Sequence, residues 1–77
     1  MSKLRIVDAN KLEKVLFHIG FERVRQKGSH VLYRHPDGRK TTIPHHGNRP
    51  IARPLLREIL REVELSTDEY NDILDKI

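Results

Sequence analysis

The sequence predicts an α+β fold in which helices cover one face of a three-stranded antiparallel sheet. Amphipathic helical stripes flank a central segment that is rich in strand-forming residues. Two turn signals, Gly28-Ser29 and Pro36-Asp37-Gly38, divide that segment into three strands. Because each helix and the sheet must cover an apolar surface, we expect two layers around one core. With 77 residues, the chain is expected to form a single domain, 1–77.

The first helix is predicted after Asp8, a suitable N-cap, and should end at Gly20. Its apolar residues have the i, i+3, i+4, i+7 spacing of one helical stripe: Leu12, Val15, Leu16 and Ile19.

Strands are predicted at residues 21–27, 30–35 and 39–44. Side chains in the second strand alternate between two faces. One face carries Val31, Tyr33 and His35, and the other carries His30, Leu32 and Arg34. This pattern leaves open which face meets the helices.

Two further helices are predicted after a loop at residues 44–50 that is rich in Pro, Gly and Asn. Pro54 suits the first turn of the second helix. The apolar stripe of that helix is Ile51, Leu55, Leu56, Ile59, Leu60 and Val63. Ser66 and Glu69 form a capping-box pattern that opens a short last helix. The apolar face of this last helix needs a partner, which is either the core or another chain.

Charge is distributed unevenly along the chain. Residues 1–50 hold 11 Lys/Arg and 4 Asp/Glu, a net charge of +7, whereas residues 51–77 hold 4 and 7, a net charge of −3. Basic surfaces attract polyanions, most commonly nucleic acid, although an ordinary solvated surface explains the charge equally well. The chain has no cysteine, which excludes disulfides and thiol catalysis. Because no stretch suits a signal peptide or a membrane span, we expect a cytoplasmic protein with no membrane partner.

His30 is the strongest candidate for chemistry, because it follows the Gly28-Ser29 turn inside a basic stretch. An imidazole exchanges protons near neutrality, and as a general base it would let the 2′-hydroxyl of RNA attack the adjacent phosphate. Nearby cations would stabilise charge on the phosphoryl oxygens. The cations are Arg25, Lys27, Arg34 and Lys40. From spacing alone, however, a structural or merely exposed histidine is the commoner case.

The adjacent His45 and His46 suggest a metal site only weakly. Neighbouring side chains of an extended backbone point in opposite directions, and no cysteine or nearby carboxylate completes a ligand set. We therefore expect no metal and no cofactor. Two interpretations of these histidines remain: they contact a phosphate, or they belong to an exposed loop without a specific role. Tyr33 either stacks on a base or packs in the core.

Taken in order, these motifs resemble the HicA toxins, also called YcfA-like mRNA interferases. The similarity extends from about Leu12 to Tyr70, most of the chain. The segments that carry it are Lys11-Leu12 through Leu16, Gly20-Phe21, Arg25-Gln26-Lys27-Gly28-Ser29-His30, Tyr33, Pro36-Asp37-Gly38, Thr42-Ile43-Pro44 with His45 or His46, and Leu56-Arg57-Glu58-Ile59-Leu60.

This resemblance implies a fold like the double-stranded-RNA-binding domain, α-β-β-β-α, here with a short extra C-terminal helix. It implies a toxin that cleaves mRNA and inhibits translation, with His30 as the catalytic histidine. It also implies a HicB-type antitoxin that covers the catalytic face. The residues expected to contact RNA are Arg25, Lys27, Ser29, Arg34, Lys40 and His45.

The chain departs from the family pattern at two places. Arg53-Pro54-Leu55-Leu56 stands where relatives usually have Lys-Gly-Thr-Leu, and Pro54 is compatible with a helix start. The doubled His45-His46 leaves open which one matches the family's single histidine.

Two other functions remain open at the level of sequence. The first is a small module that binds structured RNA without cleaving it, since the same fold and charge would serve. The second is a protein that acts mainly through a partner docked on the acidic last helix.

Overall fold

The computed structural model describes residues 3–77 and confirms the predicted α+β architecture. The order α-β-β-β-α-α is consistent with a fold like the double-stranded-RNA-binding domain. The elements are α1 (Ala9–His18), β1 (Glu22–Lys27), β2 (His30–Arg34), β3 (Lys40–Pro44), α2 (Arg53–Glu62) and α3 (Thr67–Lys76). None of the helices within residues 3–77 is long and apolar enough to cross a membrane.

The three strands form one antiparallel sheet in the order β1-β2-β3, so β2 is the central strand. Gly28-Ser29 closes the first hairpin. Gly28 has a φ of 59°, which residues other than glycine rarely adopt. Each strand is one residue shorter than predicted. Phe21 donates its N–H to the end of α1 instead of the sheet, while His35 and Arg39 hydrogen-bond to each other and close the second hairpin.

The inner face of the sheet, which the helices cover, is the face that carries Tyr33. Its central side chains are all buried: Val31, Tyr33, Thr41 and Ile43. The opposite, outer face therefore carries His30 and Arg34, which resolves the alternative that alternation left open. Tyr33 packs in the core and does not offer its ring to a base.

The predicted helix ends are present. The Asp8 carboxylate accepts the Lys11 N–H at 2.9 Å at the start of α1, and Pro54 lies in the first turn of α2. Ser66 and Glu69 form the reciprocal capping box of α3.

Helix α3 packs on the chain's own core, where Tyr70, Ile73 and Leu74 are buried. This answers the question of a partner for its apolar face. At 10 residues, α3 is as long as α1 and α2 instead of being shorter.

Candidate functional site

The register of the sheet brings the four cations that were predicted to contact RNA to the same face as His30. Residues directly paired across antiparallel strands project to the same side of a sheet. The pairs are Lys27 with His30, Arg25 with Leu32, and Lys40 with Arg34. We call this surface, made of Arg25, Lys27, His30, Arg34 and Lys40, the basic sheet face.

All five side chains of the basic sheet face are exposed. Within residues 3–77, none of its four cations forms an ion pair with a carboxylate. Their charge is therefore available to an external anion. Lys27 is the cation directly opposite His30, at the pair that closes the first hairpin.

A groove of about 590 Å³ runs from the basic sheet face across β3 to α2. The cations Arg25, Arg34 and Lys40 line its sheet side, whereas Glu58 and Glu62 line its helix side. A polyanion is attracted to the first side and repelled by the second. This asymmetry favours a phosphate backbone that follows the sheet.

Ser29 is half-buried in the turn directly before His30. Its carbonyl oxygen accepts the backbone N–H of His45 at 2.7 Å, which attaches the segment after β3 to this turn.

The structure does not group the His45 side chain with the other predicted site residues. Its imidazole is 16% exposed and lies on the inner side of the sheet, with Nε2 2.8 Å from the Tyr33 hydroxyl and 3.6 Å from the Glu13 carboxylate. His46 is exposed and lines a small pocket with Pro44, the strand partner of His30. The two adjacent histidines thus have different environments, one packed and one open to solvent.

Sequence reasoning missed the carboxylate that anchors His45. Glu13 projects from α1 and accepts hydrogen bonds from the Tyr33 hydroxyl and from Arg23, whose Nη2 lies 2.6 Å away. The only available signal was the position of Glu13 beside the apolar stripe of α1. Spacing does not connect it to Tyr33 or His45.

The hydrogen bond between the Tyr33 hydroxyl and the Glu13 carboxylate contributes to pKa shifts of both groups. The pKa of Tyr33 is raised, first by burial and then by the Glu13 carboxylate to which it donates. Burial is the largest single effect on the pKa of Glu13 and would raise it. The hydrogen bonds from Tyr33 and Arg23, together with the positive charge of Arg23, outweigh burial and lower that pKa. Near neutral pH the carboxylate is therefore charged and the phenol is neutral.

Within residues 3–77, no group of three or more His, Asp or Glu side chains is arranged to hold a metal ion.

The fold and the basic sheet face define a class of small helix-backed sheet proteins that present a histidine among exposed cations. Residues 9–65 match the family model for the HicA toxin of bacterial toxin-antitoxin systems, from α1 to just beyond α2. The chain therefore belongs to the HicA toxin family, and its partner is an antitoxin. No curated protein matches the chain significantly.

Proposed function

We propose that this HicA-family toxin is a metal-independent endoribonuclease that cleaves mRNA and thereby inhibits translation. The supporting observation is the exposed His30, which shares the basic sheet face with four cations that have no carboxylate partner among residues 3–77. Such a face binds phosphate and places an acid–base group beside it.

In the proposed reaction, His30 removes the proton from a ribose 2′-hydroxyl. The freed oxygen attacks the adjacent phosphorus, and the bond from phosphorus to the 5′ oxygen breaks. The products are a 2′,3′-cyclic phosphate and a 5′ hydroxyl, whose oxygen takes up a proton from water as it leaves, while His30 returns the proton it removed to the solvent. Negative charge accumulates on the phosphoryl oxygens during this step, and the proposed role of Lys27, which is paired with His30 in the sheet, is to stabilise that charge.

The proposed antitoxin is a HicB-type protein that covers the basic sheet face. A partner with carboxylates at its interface would associate rapidly with exposed cations, because opposite charges accelerate encounter. It would also occupy the surface that RNA needs. Antitoxin and RNA should therefore compete for this toxin.

The decisive variant is His30→Ala, assayed as purified protein with RNA in the presence of a chelator. Removing a positioned base should lower the cleavage rate by about 10²–10⁴-fold, while folding and RNA binding persist. The matched control is His18→Ala, since His18 is an exposed histidine on α1, which packs on the inner side of the sheet. The control should produce cyclic-phosphate ends at the wild-type rate.

Two results would contradict the proposal. Wild-type cleavage by His30→Ala would remove His30 from the mechanism. A wild-type protein that retards RNA in a salt-dependent manner without cutting it would instead be a non-catalytic RNA-binding module.

A further inference from the structure

A hydrogen-bonded network beneath the sheet connects α1 with β1, with β2 and with the residue that follows β3. At its centre, the Glu13 carboxylate accepts hydrogen bonds from Tyr33 and from Arg23. The Glu13 and His45 side chains are 17% and 16% exposed, and Tyr33 is fully buried. The proposed chemistry of His30 takes place on the other face and uses none of these side chains directly.

The proton positions in this network follow from its geometry. A phenol has a single hydrogen, and Tyr33 donates that hydrogen to Glu13. The phenol oxygen therefore accepts at its 2.8 Å contact with His45, so the donor is the Nε2–H of the imidazole. Proximity of the same nitrogen to the Glu13 carboxylate, at 3.6 Å, favours the same arrangement.

The network reaches the proposed catalytic residue through the backbone. The N–H of His45 donates to the Ser29 carbonyl at 2.7 Å, and the next residue in the chain is His30. Thus the side chain of His45 is held by Tyr33 on the inner side of the sheet, while the backbone N–H of His45 holds the Gly28-Ser29 turn.

We propose that His45 is a positioning residue, which uses its bonds to Tyr33 and Ser29 to hold His30 in line with the RNA phosphate. This inference rests on the proposed ribonuclease function. His45 does not itself exchange protons with RNA, because its imidazole is on the inner side of the sheet and bonded to Tyr33. A displacement of about 1 Å in a catalytic group is enough to reduce a rate by about 10²-fold.

The test compares His45→Leu with His45→Gln. A glutamine amide has an N–H that replaces the Nε2–H of histidine as a donor to Tyr33, whereas leucine fills similar space without a donor. We expect His45→Leu to lower kcat for RNA cleavage by about 10–100-fold with KM unchanged. His45→Gln should recover most of that loss.

A second variant, Tyr33→Phe, removes only the hydroxyl and keeps the buried ring. It should reduce kcat as His45→Leu does, also without a change in KM. Rates are expressed per folded protein from parallel thermal unfolding, so that a loss of stability is not read as a loss of catalysis.

Hydrogen exchange at the amide of residue 45 provides a readout that does not depend on RNA. This amide should be protected in wild type and His45→Gln, and should exchange faster in His45→Leu. Equal exchange in all three proteins would overturn the inference, as would wild-type kcat in His45→Leu. If His45→Gln were as inactive as His45→Leu, the imidazole itself would be required, which also overturns it.

Failure of the proposed function has a different signature. Wild-type protein would then leave RNA intact, while exchange at residue 45 would still report whether its side chain holds the turn.

Discussion

The Glu13 side chain is subject to two opposing effects that can be separated by experiment. Burial favours its neutral form, whereas hydrogen bonds from Tyr33 and Arg23 favour the carboxylate and prevail, so its pKa in the folded protein is lowered. A carboxyl group with a lowered folded-state pKa stabilises the fold at pH values above its unfolded pKa, about 4.3. That stabilisation is lost as the pH falls through the folded-state pKa.

The variant Glu13→Gln should therefore be less stable than wild type at pH 7, by about 1–2 kcal/mol, because it loses hydrogen bonds to a charged group. The difference should shrink as the pH falls from the unfolded pKa, about 4.3, through the lower folded-state pKa, because the wild-type carboxylate becomes protonated over that range. Urea unfolding at several pH values measures this. The control Glu58→Gln alters an exposed pair with Arg61 and should change stability little. If the free energy of unfolding of wild type and of Glu13→Gln changed with pH in the same way, the prediction would be contradicted.

At the scale of elements, α1 and α2 end in the same hydrogen-bonding pattern but with different residues at the critical position. Gly20 ends α1 with a φ of 95°, and Glu64 ends α2 with a φ of 60°. In both cases the N–H of the following residue reaches back five positions to a helix carbonyl, as in a Schellman motif. The left-handed conformation suits glycine and strains glutamate.

Opposite substitutions at these two positions should have opposite effects. Glu64→Gly should raise the free energy of unfolding by about 0.5–1 kcal/mol, because relief of strain exceeds the added freedom of the unfolded chain. Gly20→Ala should lower it by about 1–2 kcal/mol or more. Gly20→Ala is destabilised by steric crowding in addition to backbone strain, because an added Cβ would lie 3.0 Å from His35 Nε2. Urea midpoints at constant m-value measure both effects. A destabilised Glu64→Gly would contradict the first expectation.

Local patterns were sufficient to predict the elements but not the faces of the sheet. The helix stripe of α1, the glycine turns and the capping box depend on residues a few positions apart, and the structure contains all of them. Alternation in β2 places Leu32 on one face and Tyr33 on the other, so both faces contain an apolar residue. Packing of the helices decides between them.

The packing of His45 was unpredictable for a related reason. Its partners Glu13 and Tyr33 come from α1 and β2, so their meeting depends on how α1 sits on the sheet. By contrast, the grouping of Arg25, Lys27 and His30 follows from hairpin register, which a two-residue turn determines.

At the scale of the whole molecule, the fold selects which positive charges face outward without a carboxylate partner. Arg23 and Arg39 belong to the basic half of the sequence, yet they pair with Glu13 and Asp37. The cations of the basic sheet face have no such partners within the described residues 3–77. Net charge alone therefore overstates how many cations are available to an external anion, and the position of each cation on the sheet is the better guide.

The salt dependence of RNA binding tests whether affinity for RNA depends on the position of the cations on the sheet or on the total charge of the protein. Each phosphate contact to single-stranded RNA contributes about 0.7 to the slope of log affinity against log salt concentration. In a His30→Ala background, which keeps the RNA intact, Lys27→Gln with Lys40→Gln should reduce the magnitude of that slope by about 1.4. Fluorescence anisotropy across a salt series measures it.

The matched control is Lys14→Gln with Arg57→Gln, which removes the same charge from exposed positions on α1 and α2. The control should weaken binding slightly through the overall field and leave the slope unchanged, because neither residue lies on the basic sheet face. If both double variants lowered the slope equally, general attraction would explain binding and the sheet register would have no special role. A smaller slope in the Lys27 and Lys40 variant alone would instead mean that these two residues contact phosphates on the basic sheet face, as the proposed cleavage by His30 requires.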